Sequence, residues 1–333
     1  MNKNIIFRLL RIITIIFVIC GVFYLYIPPI EGKIETMNTT VGENTVDILC
    51  VGSSHMFSGI NPIQLYEEYG YSAYVLAAGS QAPWQSYYYI KEANKTQNPQ
   101  IVIFDTYILG TMKPEDFQDY QTVSNMLYFK NSYDKLCTIM ESTADSKLNI
   151  ILRFPYVYNR TENYSGLSIN KLYGRIDYSM GYSYSTAVES YDKVLDVNNI
   201  IESVPLDSKN EKYLRLIIEY CREKEIALIL TNTPWPCITE ESQKKFNEIK
   251  RIVTEYNIEF IDGCLLYKEI GIDYMTDSSG DYGHLNYYGV TKYTKWIGDY
   301  IKDNYSLTDH RGNKQYNAYE EGINWLNEMK GSE

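Results

Sequence analysis

Five short apolar runs, each continuous and not alternating, constrain this chain most. They are Val46–Val51, Ala73–Ala77, Ile101–Asp105, Ile226–Thr231 and Ile258–Ile261. A strand with one wet face alternates polar and apolar residues, whereas a strand covered on both faces reads as an unbroken apolar run. Helical signals separate the runs. Asn61 and Pro62 offer an N-cap and a first-turn proline after run one, and Gly70 offers a stop. Thr239, followed by Glu240 and Glu241, starts a helix reaching about Tyr256. Asn286 starts the last one, with Val290, Tyr293 and Ile297 on one stripe. The series predicts an α/β fold, a flavodoxin-like doubly wound sheet of five parallel strands.

One connection is too long for this plan. Residues 110–208 separate runs three and four, where a helix and short loops suffice. A helical pattern near Ser132–Asp145 and a Tyr-rich stretch from Tyr156 to Ser185 lie inside it. The expectation is an inserted, mainly helical subdomain or lid, with its aromatics lining an acceptor groove or merely following codon bias.

The N-terminus adds a second constraint. Ile12 to Ile30 carries no charge, enough at about 1.5 Å per residue to cross a hydrocarbon core. Lys3, Arg8 and Arg11 precede the run, so the positive-inside rule leaves the N-terminus cytoplasmic. The apolar stretch exceeds a signal-peptide core, and no A-x-A-like cleavage site follows. The expected organisation is a cytoplasmic tip and single-pass cell-membrane anchor (1–30), an extracytoplasmic domain (31–305, with 110–208 inserted) and a polar, helical tail (306–333). The three cations of the anchor leave −14 on the remainder of a chain whose net charge is −11. Such an acidic domain excludes nucleic acid as a partner.

Six cysteines and three histidines limit the remaining options. Cys50, Cys137, Cys221, Cys237 and Cys264 form an odd, scattered set with no disulfide framework. Cys50 and Cys221 sit in apolar patterns and are expected to be buried, and Cys237 with Cys264 is the one pairing worth naming. Three histidines are too few for a multi-histidine metal site, so no metal and no cofactor is expected.

In an open α/β sheet the site lies beyond the carboxyl ends of the strands. Run one delivers Gly52-Ser53-Ser54-His55, and run two Gly79-Ser80-Gln81 and then Trp84. Run three delivers Asp105-Thr106-Tyr107, run four Asn232 and Trp235, and Asp281-Tyr282-Gly283-His284 follows run five. A serine hydroxyl needs an imidazole to take its proton, and the imidazole needs an acceptor on its other nitrogen. Ser54, His284 and Asp281 supply those three groups.

These motifs resemble the SGNH/GDSL hydrolase superfamily. Gly52-Ser53-Ser54 stands where that family has Gly-Asp-Ser, and Asp281-x-x-His284 matches its last block. The resemblance implies Ser54 as nucleophile, His284 as base, Asp281 as orienting acid and Gly79 as a backbone oxyanion donor. Two departures stand out. Ser53 replaces the first-block aspartate, and Asp105-Thr106-Tyr107 lacks the third-block asparagine, a second oxyanion donor. Asn232, Gln81 or Tyr107 are candidates to replace it. His55, Trp84 and Trp235 are further substrate candidates, set against first-turn or core packing. Asp105 reads as a loop cap, and Asp309-His310 as a solvated decoy.

With its anchor, the chain looks like the D-alanine-transfer and polysaccharide O-acetylation proteins that work beside a membrane-bound O-acyltransferase. The implied function is a serine O-acyltransferase or acyl esterase acting on a surface polysaccharide or acylated glycopolymer. The rival is a catalytically degenerate scaffold of the same shape that binds polymer or docks the acyltransferase. A lipase-like esterase is a third reading, weakened by the absence of a basic amphipathic patch.

Overall fold

The five apolar runs form one all-parallel sheet. In the computed structural model the strands are β1 (Ile48–Gly52), β2 (Ala73–Ala77), β3 (Ile101–Asp105), β4 (Ala227–Asn232) and β5 (Phe260–Asp262), in the order β2-β1-β3-β4-β5. The structure describes residues 3–26, 32–117, 125–126, 132–142, 147, 176–280 and 283–332. Every residue of β1, β2 and β3 is buried, which explains the unbroken apolar runs. The strand order and the covering helices give the expected flavodoxin-like arrangement.

The helices follow the signals that mark them. They are α1 (Lys3–Tyr26), α2 (Lys33–Val41), α3 (Ser54–Phe57), α4 (Pro62–Tyr69), α5 (Pro83–Ala93), α6 (Tyr107–Thr111), α7 (Tyr133–Glu141), α8 (Ser208–Glu223), α9 (Glu240–Thr254), α10 (Gly263–Ile270), α11 (Tyr287–Asn304) and α12 (Asn317–Gly331). Asn61 Oδ1 accepts from the N–H groups of Ile63 and Gln64, and Gly70 ends α4 in the left-handed conformation. Thr239 caps α9 and Asn286 caps α11 in the same way. Val290, Tyr293 and Ile297 form the buried stripe of α11.

Among the described residues no helix is long and apolar enough to cross a membrane, so the expected span is not supported by the fold. The described side chains of α1 are those of residues 5–19, and they include Arg8 and Arg11. Its apolar side chains, from Ile5 to Ile19, are exposed.

The long connection is described only in part. Ser132 caps α7 as its pattern suggests, but residues 176–207 contain no helix. They run as an irregular strap whose backbone bonds to other segments. Val75 N–H donates to Met180 O, Ser183 N–H to Phe57 O, Glu189 N–H to Ser278 O and Tyr191 N–H to Tyr274 O. The first of these covers the outer edge of β2, which would otherwise stand open. The stretch 156–175, two thirds of the Tyr-rich segment, lies outside the described residues.

Much of the tyrosine enrichment is core. Tyr66 and Tyr319 stack with ring centroids 4.9 Å apart, and the Tyr319 hydroxyl donates to Ala73 O at 3.1 Å. Tyr182 is buried and Tyr184 packs on Tyr287, so these two strap tyrosines are structural rather than groove-lining. The tail is equally integrated, with α12 lying against α4. Nor is His310 a solvated decoy: its Nε2 lies 2.6 Å from Asp47 Oδ2 and its ring stacks on Tyr316, while Asp309 pairs with Arg311. The five cysteines named above are free, with Cys50 and Cys221 buried as expected and Cys237 and Cys264 unpaired.

Candidate active site

Ser54 opens α3 directly after β1. A Cβ on Gly52 would sit 2.9 Å from Asp105 Cβ and 3.0 Å from Met56 Cβ, so a side chain there would push the turn off β3. Ser53 is wholly buried at the N-cap and its side chain makes no capping bond. Ser54 is left half-buried at the carboxyl edge of the sheet.

His284 arrives from the opposite end of the sequence on a tied loop. Ser278 and Leu285 form an antiparallel bridge, Ser279 N–H donates to His284 O at 2.8 Å, and Asn286 N–H donates to Asp277 O at 3.0 Å. Asn286 Nδ2 also holds Thr276 O at 2.8 Å. Gly283 takes φ +74°, and a Cβ there would meet Pro236 Cδ at 2.8 Å. The result is His284 Nε2 at 2.8 Å from Ser54 Oγ. In the tautomer protonated on Nδ1, the hydroxyl donates to Nε2, the geometry of a serine poised to lose its proton. Asp281, the expected orienting acid, lies outside the described residues.

His55 forms a second layer behind this pair. It is 1% exposed, and neither ring nitrogen has a hydrogen-bond partner among the described residues. Its ring stacks on Tyr107 at 3.6 Å, meets Trp235 edge-on at 5.7 Å and lies 4.4 Å from the His284 ring. Burial, with His284 beside it, holds the His55 imidazole well below its usual pKa, so it is a neutral ring. The structure thus gathers His55, Tyr107 and Trp235 next to Ser54 and His284.

The remaining candidates separate. Gly79 stands in an exposed loop beyond β2, whose last residue, Ala77, pairs with Gly52. Nothing lies within 4 Å of a Cβ built on Gly79, and its carbonyl accepts from Asn125 Nδ2 at 3.1 Å. The Gly79 position is therefore uncrowded. Gln81 spends its amide on Leu76 O and Ser86 Oγ, and Asn232 donates to Asp262 Oδ1 at 3.3 Å and to Cys264 Sγ. Those donors hold the scaffold, so neither amide replaces the missing asparagine in this arrangement. Trp84 is core: wholly buried, edge-on to Phe117, with Lys209 Nζ 4.0 Å from its ring.

Two residues carry more weight than their motifs suggest. Asp105 is a clamp between strand ends, accepting from Thr233 N–H at 2.9 Å, Thr233 Oγ1 at 2.7 Å and Tyr107 N–H at 3.0 Å. Burial raises its carboxyl to about 6 against those bonds. Lys33 of α2, which no motif marks, donates to Ala77 O, and burial lowers its ammonium to about 8. Among the described residues no cluster of three or more His, Cys, Asp or Glu side chains could hold a metal ion.

The arrangement can take a proton from Ser54 and shield the site with an aromatic layer. Comparison with known proteins adds no name to that chemistry: no family model matches the chain, and no curated protein does either.

Proposed function

We propose that this protein is an SGNH-like serine O-acyltransferase or acyl esterase that modifies a cell-surface polysaccharide or related glycopolymer. The observation that supports it is the 2.8 Å approach of His284 Nε2 to Ser54 Oγ at the carboxyl edge of a parallel sheet. In this reading Ser54 Oγ attacks the acyl carbonyl as His284 takes its proton. The leaving group takes that proton, and an acyl-Ser54 ester remains. His284 then deprotonates the acceptor, a sugar hydroxyl or water, which attacks the ester and restores the serine. The backbone N–H of Gly79 is the oxyanion donor in this proposal. Asp281 orients His284 in the same reading.

The anchor belongs to the proposal as well. The uncharged run from Ile12 to Ile30 and the exposed apolar side chains of α1 support a single-pass attachment, N-terminus inside and catalytic domain outside. A membrane-bound O-acyltransferase is the partner this placement suits. Ser54→Ala should abolish activity on acyl esters and in polymer acylation, and full activity in that variant would end the proposal.

One observation favours the scaffold reading instead. The amides of Asn232 and Gln81 are committed to internal bonds, so neither of them supplies the second oxyanion donor. Removal of one such donor costs about 10²–10³ in rate. A folded protein that binds glycopolymer with no ester turnover would favour this second reading.

A further inference from the structure

Helix α7 exposes its apolar side and buries its polar one. Tyr133, Leu136 and Met140 stand at i, i+3 and i+7, within about 60° of one another around a helix of 3.6 residues per turn. All three are exposed, Tyr133 by 77% and Met140 by 59%. The buried side carries Asp134, Lys135 and Thr138, with Ile139 its one aliphatic residue, and the helix packs on α5. An amphipathic helix on a water-facing surface does the reverse. Single exposed apolar side chains need no explanation, but a row of them along one helix marks a contact surface.

The charges around this face fix what it meets. Lys91 and Lys95, at the end of α5, pair with Asp134 at 2.7 and 2.8 Å, and Lys95 also pairs with Glu92. Lys212 of α8 pairs with Glu141 at 3.4 Å, and Lys147 Nζ donates to Met140 O at 3.0 Å. The side chains of Asp134 and Glu92 are 5% and 6% exposed, against 52% for Lys95 and 53% for Lys212. Carboxylates therefore lie beneath and ammonium groups outside, on a chain whose net charge is −11. Burial lowers the Lys209 ammonium, Glu141 opposes that shift, and Lys147 and Lys212 add to it, so three cations crowd the last turn of α7. An apolar row rimmed by lysines suits a helix lying in an anionic lipid interface, where apolar side chains insert and lysines meet headgroup phosphates. A protein partner would need a shaped counterpart, whereas a lipid surface does not. The row and its lysines come from separate segments, so no single stretch of sequence reads as a basic amphipathic helix. The fold also links this face to the chain that follows α1. Asn38 of α2 bonds Thr96 and Gln97, just past α5.

We propose that α7 is a second membrane contact, seating Tyr133, Leu136 and Met140 in the interface of an anionic lipid leaflet. This goes beyond acyl transfer and rests only on the single-pass attachment in that reading. Docking through α7 would fix the orientation of a domain that the anchor alone merely tethers. The test uses full-length protein carrying Leu136→Trp, reconstituted into vesicles of brominated phosphatidylcholine with or without phosphatidylglycerol. Flotation with the vesicles tests the anchor, and quenching of the added indole, taken relative to the parent, tests the face. Leu136→Trp should be quenched in the anionic vesicles and much less in the neutral ones. Val188→Trp, an exposed apolar site on the strap, should stay unquenched. Lys147→Ala and Lys212→Ala should each lower the ratio of docked to undocked protein about fivefold. Met140→Trp is a second reporter should Leu136→Trp fail to fold. Equal quenching in neutral vesicles, equal quenching of Val188→Trp, or no quenching in floated protein would overturn the proposal, the last leaving the face to a protein partner. Protein that does not float would overturn the attachment and this contact together. Labelling of Ser54 needs no membrane, so a failed contact and a failed nucleophile give different results.

Discussion

His284 meets Ser54 across 230 residues of sequence, Nε2 to Oγ at 2.8 Å, although no secondary-structure element contains both. The contact depends on two backbone devices: the crowded turn at Gly52 and the left-handed turn at Gly283. Each makes a position-specific demand that can be tested.

Gly52→Ala places a methyl group against Asp105 and Met56. Overpacking of this kind costs about 1–3 kcal/mol, and an ångström of displacement at a reacting atom costs about 10² in rate. Denaturant unfolding should show the stability loss, and Ser54 modification by an activated acyl ester should slow by at least tenfold. A variant as stable and reactive as the parent would show that the turn tolerates a side chain.

His55 should make the fold acid-sensitive. Its pKa is lowered in the folded state, so below about pH 6.5 the unfolded chain takes up a proton that the native protein refuses. Stability from this group is present above pH 6.5 and is lost as pH falls. Urea unfolding of His55→Phe between pH 5 and 8 should show a flatter pH dependence than the parent. An unchanged slope would mean that the imidazole is not the group being protected.

Asp105 should act with the opposite sign. Its folded pKa, raised to about 6, lets the native protein hold a proton that the unfolded chain releases near pH 4. Its stabilising share is full below about pH 4 and falls as pH rises through 6, by at most roughly 3 kcal/mol. Asp105→Asn should be less stable overall, since an amide cannot accept all three bonds, but it should lose the slope between pH 4 and 6. Retention of that slope would assign it to another carboxyl group.

The sheet was legible because burial on both faces leaves a simple trace. β2 and β3 coincide with Ala73–Ala77 and Ile101–Asp105, and β1, β4 and β5 differ from their runs by a residue or two. Asn61, Thr239 and Asn286 declared their helices because capping is local chemistry. Ser54 was legible because it follows the end of β1, and His284 because it stands just before the Asn286 cap of α11. The strap of residues 176–207 was not, because its backbone bonds to remote segments and leaves no periodicity to read. Trp84 and Trp235 looked alike in sequence, each following a strand, and only packing separates Trp84, set against Phe117, from Trp235, set against His55 and Tyr107. Lys33 carries no motif at all; its bond to Ala77 O exists only after folding.

The central claim is that Ser54 is a nucleophile activated by His284. Incubation of the folded protein with a fluorophosphonate, followed by peptide mass spectrometry, tests it directly. The account predicts one phosphonyl adduct, on Ser54, with labelling slowed by at least about 10²-fold in His284→Ala, the lower end of the contribution of a general base. No adduct on Ser54, or equal labelling with and without His284, would contradict it.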